Sequence, residues 1–214
     1  MLVKERMSRN PITIKPDTTV TEAQAQMKRE KIHHLPVVDR DGKLVGIVAE
    51  KDLLYASPSP ATTLSVYEIA SLLAKLTVDK VMSAKPVTVT EDVPLEEAAR
   101  IMADRNIGGL PVMRGSTLVG IITESDLFRV FIELFGARQK GVRISMVVPN
   151  ERGELAKVSA AITKAGGNII ALGTFLAEDT TQGRLTVKVE GLPKEKILEA
   201  LRPLAVRIED VRES

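Results

Sequence analysis

Thr123-Glu124-Ser125-Asp126 stands where an apolar run of strand character gives way to a helical pattern. Backbone N–H groups at such a helix start are free, and with the positive end of the helix dipole they can receive a phosphate while the side-chain oxygens meet a sugar. The same four residues also fit a helix capping box, and the two roles are compatible. Ala49-Glu50-Lys51-Asp52 fills the matching place earlier in the chain, keeping the aspartate but with alanine for the threonine and lysine for the serine. Lys51 there is either a point charge for a di- or triphosphate or a solvated lysine. His33-His34, the only histidines, enter one apolar strand, and Gly108-Gly109 enter the equivalent strand. One site thus offers imidazoles that can meet phosphates or sense pH, and the other a bare backbone that lets a ligand come close. Neighbours entering a strand point to opposite faces, so at most one histidine faces a ligand. With no cysteine and no carboxylate at ligand spacing on the same face, the sequence supports no metal site.

These residues recur because the chain is duplicated. Met7-Ser8-Arg9-Asn10-Pro11-Ile12-Thr13-Ile14 returns as Met82-Ser83-Ala84-Lys85-Pro86-Val87-Thr88-Val89, and Leu35-Pro36-Val37-Val38 returns 75 positions later as Leu110-Pro111-Val112-Met113. In the first copy Thr19-Val20-Thr21-Glu22 fits a capping box, and Val20, Ala23 and Met27 give the spacing of an amphipathic helix running to about Lys31. Leu35 to Val38 and Leu44 to Val48 are β-branched runs joined by Asp39-Arg40-Asp41-Gly42, which predicts a hairpin, and a short helix follows from about Lys51. The second copy repeats this with Pro94 at a helix start, Leu95, Ala98, Ala99 and Met102 on one face, a turn at Arg114-Gly115-Ser116 and a helix from Ser125. Each unit reads β-α-β-β-α over roughly fifty residues, too few for an independent core, so the two copies should pack as one pseudo-symmetric body. Between them Ser57-Pro58-Ser59-Pro60 breaks the chain, and Leu64 to Leu76 has the pattern of a connecting helix.

Composition narrows the function classes. At 214 residues, with 44% hydrophobic and 27% charged residues, the chain has the profile of a globular protein, with no apolar run of bilayer length and no signal-peptide pattern at its start. The expected location is cytoplasmic, which the absence of cysteine fits. A net charge of +2 and 3% aromatic residues leave neither a basic stripe nor stacking platforms for nucleic acid. There is no nucleophile elbow, P-loop or dinucleotide fingerprint, so the reading is non-enzymatic, with no catalytic residue and no catalytic cofactor.

The pattern Met-Ser-x-x-Pro-h-Thr-h, then h-Pro-Val, then Gly-h-h-Thr-x-Ser-Asp, with h an apolar residue, resembles the CBS domain. Two in tandem resemble a Bateman module, over residues 3 to about 135. The resemblance implies clefts between the copies that bind adenosine-containing ligands such as AMP, ADP, ATP or S-adenosylmethionine, and regulation of an attached or associated protein. It also implies that Asp126 and Asp52 hold ribose, that Thr123 and Ser125 hold ribose or phosphate, and that Thr13, Ile32, His33 and His34 in one copy and Thr88, Ile107, Gly108 and Gly109 in the other form adenine pockets.

From Gly141 the texture changes. Val142 to Val148 alternates, Asn150-Glu151-Arg152-Gly153-Glu154-Leu155 opens a helix with Leu155, Val158 and Ile162 on one face, and Gly166-Gly167 ends it. Asn168 to Ala177 and Arg184 to Glu190 read as strands, Pro193 starts a helix through Ile197, Leu198 and Leu201, and Ala205 to Val211 closes a β-α-β-β-α-β order, the ferredoxin-like plan. This region resembles the ACT domain through Asn150, Gly153, Leu155 and the Gly167-Asn168-Ile169 entry to the next strand. The resemblance implies an amino acid bound at a dimer interface beside Asn150, Gly153, Leu155 and Asn168, although Arg152 stands where such domains usually have proline. Gly153 and Asn168 serve equally well as turn and helix-exit residues.

The fold class expected is therefore α/β (α+β), with CBS units at 1–60 and 78–137, a connecting helix at 61–77 and an ACT domain at 141–214. This order resembles acetoin-utilisation B (AcuB-type) proteins, which implies a role in acetoin or acetate metabolism. The function expected is a homodimeric regulatory sensor with an adenine nucleotide as ligand, an amino acid as a possible second ligand and an unidentified protein under control. A dimerisation or interaction scaffold with vestigial sites is the alternative.

Overall fold

Ile14, Val20, Ala23, Met27, Leu35 and Val37 are buried, and so are their counterparts 75 places on, Val89, Leu95, Ala98, Met102, Leu110 and Val112. The duplication thus extends to the core. The computed structural model describes residues 1–56, 65–73, 75–176 and 179–213; the Ser57–Pro60 break, Leu64 and Ala177 lie outside them. The first repeat contains β1 (Ser8–Arg9), α1 (Val20–Glu30), β2 (His34–Val38), β3 (Leu44–Ala49) and α2 (Glu50–Tyr55), and α3 (Val66–Leu73) follows. The second contains β4 (Ser83–Ala84), β5 (Val89–Thr90), α4 (Leu95–Arg105), β6 (Gly109–Arg114), β7 (Thr117–Thr123) and α5 (Glu124–Leu134).

Local chemistry explains the boundaries. Thr19 Oγ1 accepts from the Glu22 N–H at 3.2 Å and Glu22 Oε2 accepts from the Thr19 N–H at 3.0 Å, closing the capping box at the start of α1. Both α1 and α4 stop at a left-handed residue, Lys31 (φ 55°) and Asn106 (φ 51°). Turning β2 into β3, Asp39 Oδ1 accepts from the N–H groups of Asp41 and Lys43, and Gly42 takes φ 80°.

Sequence order and sheet order differ at the leading segments. Ile14 bridges Val37 in parallel and β5 pairs in parallel with β6, as each repeat's own first strand should. The residues just before them cross over: β1 pairs antiparallel with β7 of the other repeat, and β4 pairs with β3. Two sheets result, ordered β1-β7-β6-β5 and β2-β3-β4. The Val3 N–H donates to the Val93 carbonyl and the Val78 N–H to the Thr18 carbonyl, so the exchange is reciprocal. A repeat of this size gains a closed core only by borrowing these residues from its twin.

The exchange rests on two glycines. A Cβ on Gly120 would fall against the Met7 sulfur and 3.1 Å from the Ser8 carbonyl oxygen, and a Cβ on Gly46 would fall against the Met82 sulfur. The recurring Met-Ser and the recurring glycine are thus two halves of one contact. Gly120→Val should push the leading segment off β7 at a cost of about 1–3 kcal/mol. Urea denaturation checks this, and an unchanged midpoint would show the contact to be dispensable.

The chain divides into two compact units, Met1–Leu127 and Phe128–Ser214. In the second, β8 (Val142–Pro149), α6 (Glu154–Ala165), β9 (Asn168–Leu176), β10 (Gln182–Glu190), α7 (Lys194–Leu201) and β11 (Arg207–Glu213) form an antiparallel sheet ordered β11-β8-β10-β9. Val158 and Ile162 of α6 and Ile197 and Leu201 of α7 pack on Ile144, Met146, Leu185, Val187 and Val189 of the sheet. Leu155 departs from the expected apolar face of α6: it is 46% exposed, and Glu154 is buried in its stead, paired with Lys157 Nζ. On the other face of the sheet Ser145 and Thr186 share a hydrogen bond of 2.9 Å. Beside them the buried Lys188 ammonium donates to the carbonyls of Gly136 at 2.9 Å and Gln139 at 2.6 Å. Among the described residues no helix is long and apolar enough to cross a membrane.

Candidate functional site

Each hairpin delivers its polar tetrapeptide to the start of a helix, and the backbone holds both starts the same way. The Glu50 N–H donates to the His33 carbonyl at 2.9 Å and the Glu124 N–H to the Gly108 carbonyl at 3.1 Å. In the second copy Asp126 is buried, and its Oδ2 accepts from the Thr123 N–H at 3.0 Å and the Thr123 hydroxyl at 2.7 Å. In the first copy Asp52 Oδ2 accepts from the Ala49 N–H at 2.8 Å, and alanine supplies no hydroxyl. Both aspartates are therefore helix caps. Because the Thr123 hydroxyl spends its hydrogen on Asp126, what it offers elsewhere is lone pairs, which suit a sugar hydroxyl better than a phosphate oxygen.

A cleft of about 290 Å3 joins the two repeats in the first unit, lined by His33, His34, Ala49, Glu50, Lys51, Asn106, Ile107, Gly108 and Glu124. The His34 ring lies over Gly108 and Gly109: a Cβ on Gly108 would come 3.1 Å from His34 Nε2 and 3.2 Å from Glu124 Oε2, and one on Gly109 would come 3.2 Å from the ring carbons. The bare backbone of the second copy thus receives an imidazole from the first copy. His33 Nδ1 and Glu50 Oε2 are 2.7 Å apart, so His33 does have a carboxylate on its face, contrary to the reading from sequence spacing. A carboxylate only accepts, so Nδ1 is the donor. Among the described residues no group of three or more His, Cys, Asp or Glu is arranged to hold a metal ion.

Burial pushes the His34 pKa below its ordinary value, with neighbouring His33 and Lys51 acting the same way and Glu124 and Asp52 opposing. The unfolded chain therefore binds this proton at a higher pH than the folded one, so His34 lowers stability as pH falls through about 6.5. His34→Gln should remove that part of the acid sensitivity. Melting temperatures from pH 8 to pH 5 check it, and parallel profiles for the variant and the parent would refute it.

The remaining sequence candidates are distributed more widely. Thr88 lines a separate depression of about 400 Å3 with Lys43, Lys85, Thr90, Met113 and Ser116. Ile32 packs against the first-repeat core, Thr13 is half-buried beside Ile14, and Ser125 is exposed. Sequence reasoning missed Glu50, Glu124 and Asn106 as cleft residues. The signal was present in Glu50 and Glu124, the same residue at the same step of both tetrapeptides.

In the second unit Asn150, Gly153 and Leu155 line a hollow of about 410 Å3 together with Glu151, Glu154, Thr174, Phe175, Gln182 and Arg184. Gly153 takes φ 92° at the start of α6, a conformation that favours glycine. Asn150 Nδ2 donates to the Thr180 carbonyl at 2.9 Å. Asn168 is separated from this group, its amide donating to Glu190 Oε1 at 2.7 Å across the β9-β10 ladder.

The family model for the CBS domain matches residues 3–59 and again 78–133, more than half of the chain. The chain belongs to the CBS-domain family. A CBS domain-containing protein of Dictyostelium discoideum is 38% identical over 135 residues, 63% of this chain and 93% of that protein. Some relatives are much longer, and the match spans 23% of an L-aspartate semialdehyde sulfurtransferase of Methanocaldococcus jannaschii. Among solved structures, the CBS domain pair of protein MJ0100 in complex with 5′-methylthioadenosine and S-adenosyl-L-methionine is 32% identical with a TM-score of 0.52, covering 65% of this chain and 98% of that one. A putative acetoin utilization protein (AcuB) from Vibrio cholerae is 34% identical with a TM-score of 0.53, covering 65% and 96%. CBSX2 in complex with AMP is 29% identical with a TM-score of 0.50, covering 61% and 96%.

Proposed function

We propose that this CBS protein is a non-catalytic regulatory sensor that holds an adenosine-containing ligand between its two repeats and passes the bound state to a partner protein. The observation that carries this reading is the cleft shared by the two helix starts, with His34 of one repeat set on the Gly108-Gly109 backbone of the other. Its relatives' complexes with AMP, 5′-methylthioadenosine and S-adenosyl-L-methionine support the ligand class. In this proposal Asp52 and Asp126 hold ribose, with Thr123 and Ser125 beside the second. Residues 1–60 and 78–137 act as the two CBS units, and residues 141–214 form an ACT-like domain whose hollow beside Gly153 takes an amino acid and which pairs two copies. The likeness to the AcuB structure supports placing the controlled partner in acetoin or acetate metabolism. A ligand shifts such a device only by its differential affinity for two arrangements of the repeats.

One observation favours the scaffold reading: both aspartates already serve as caps, and the first copy lacks the threonine hydroxyl. Calorimetry of the full-length protein with AMP, ADP, ATP and S-adenosylmethionine, and separately with the amino acids, decides between them. Saturable binding of one adenosine compound is expected. Silence with all of them would leave a scaffold.

A further inference from the structure

The cleft between the repeats carries a sign. Glu50 and Glu124, the second residue of each tetrapeptide, both line it, and Lys51 is its one fixed cation among the described lining residues. His33 is committed to Glu50 through Nδ1, and His34 lies against Gly108 and Gly109 with the Glu124 carboxylate beside it. The first turn of α2 holds Glu50 and Asp52, and that of α5 holds Glu124 and Asp126. Carboxylates therefore already occupy the first turns whose positive dipole ends a phosphate would use. A polyphosphate would bring further negative charge and only acceptor oxygens to groups that are themselves acceptors, a repulsion softened by solvent but not reversed by it. Ribose hydroxyls, an ammonium or a sulfonium bring donors or positive charge to the same groups.

We propose that this cleft selects among adenosine compounds by charge, accepting those whose 5′ substituent is a neutral thioether or a cationic sulfonium and turning away di- and triphosphates. The selection rests on the proposed function, which supplies the adenosine ligand, and adds that Glu50 and Glu124 are its specificity-determining residues.

Calorimetry of the full-length protein at pH 7.5 and fixed ionic strength, with 5′-methylthioadenosine, S-adenosylmethionine, AMP and magnesium-free ATP, tests it. The thioether and the sulfonium compound should bind at least about tenfold more tightly than ATP. In the double variant Glu50→Gln, Glu124→Gln, ATP should tighten by about tenfold and S-adenosylmethionine should weaken, so that the two affinities converge. Glutamine keeps an acceptor for His33, and Glu124→Gln alone gives the same sign should the double variant fail to fold. ATP binding as tightly as 5′-methylthioadenosine, or ATP unmoved by the substitutions, overturns the selection and leaves the sensor standing. Silence with all four compounds overturns both.

Discussion

Lys188→Glu should destabilise the second unit by about 3–5 kcal/mol, the range for leaving an uncompensated charge in a protein interior. Lys188 is 4% exposed on the central strand β10, and its ammonium is held by the carbonyls of Gly136 and Gln139. A carboxylate there would face the two carbonyl oxygens that now accept from the ammonium. Gly136 lies beside this contact: a Cβ there would make ordinary van der Waals contact, 3.5 Å from Ala171 Cβ and 3.7 Å from Lys188 Cδ. Close by, Phe135 covers Gly173 and stacks on Phe175 with centroids 6.0 Å apart. Hydrogen exchange read on peptides from residues 182–190 measures the second unit separately from the first. Loss of most of their protection is expected. A change within about 0.5 kcal/mol, the size of an ordinary surface substitution, would mean that the ammonium reaches water.

Asp126→Ala should show two effects at once. Removing the acceptor for the Thr123 N–H and hydroxyl should cost about 1 kcal/mol as the loss of a helix cap. If the same carboxylate holds ribose, the variant should also lose the stabilisation that ligand confers, which is about 2.7 kcal/mol at a hundredfold excess over Kd. Asp52→Ala removes the matching cap bond to Ala49 and serves as the comparison. Thermal melts with and without 5′-methylthioadenosine separate the effects. A variant that melts lower yet keeps its full ligand shift would reduce Asp126 to a cap.

What the sequence made legible was whatever depends on neighbours along the chain. The capping box at Thr19, the Asp39–Gly42 turn and the buried stripe of Val20, Ala23 and Met27 are set within a few residues, and the 75-residue offset carries each to the second copy. The alternation of β8 and β10 likewise shows the core face of the second sheet. What escaped depends on residues far apart. Ser8 and Arg9 read as part of their own repeat, but they sit opposite Ile121 and Gly120 of the other repeat in the ladder. Lys188 sits where alternation promises solvent, and it is buried because residues 136–139 lie over that face. Leu155 fits a helical stripe by spacing, yet it lies one step off the buried line of Glu154, Val158 and Ile162. In the cleft, His33-His34 and Gly108-Gly109 look like two separate pockets, and only the structure shows one imidazole resting on the other copy's glycines.

The measurement that bears most directly on the sensor reading is a crystal structure of the full-length protein grown with saturating 5′-methylthioadenosine. The account predicts the ligand between the repeats, its ribose hydroxyls on Asp126 or Asp52 and its thioether facing the cleft that holds Glu50 and Glu124. A ligand bound elsewhere, or clefts that stay empty at a concentration where calorimetry reports saturation, would contradict it.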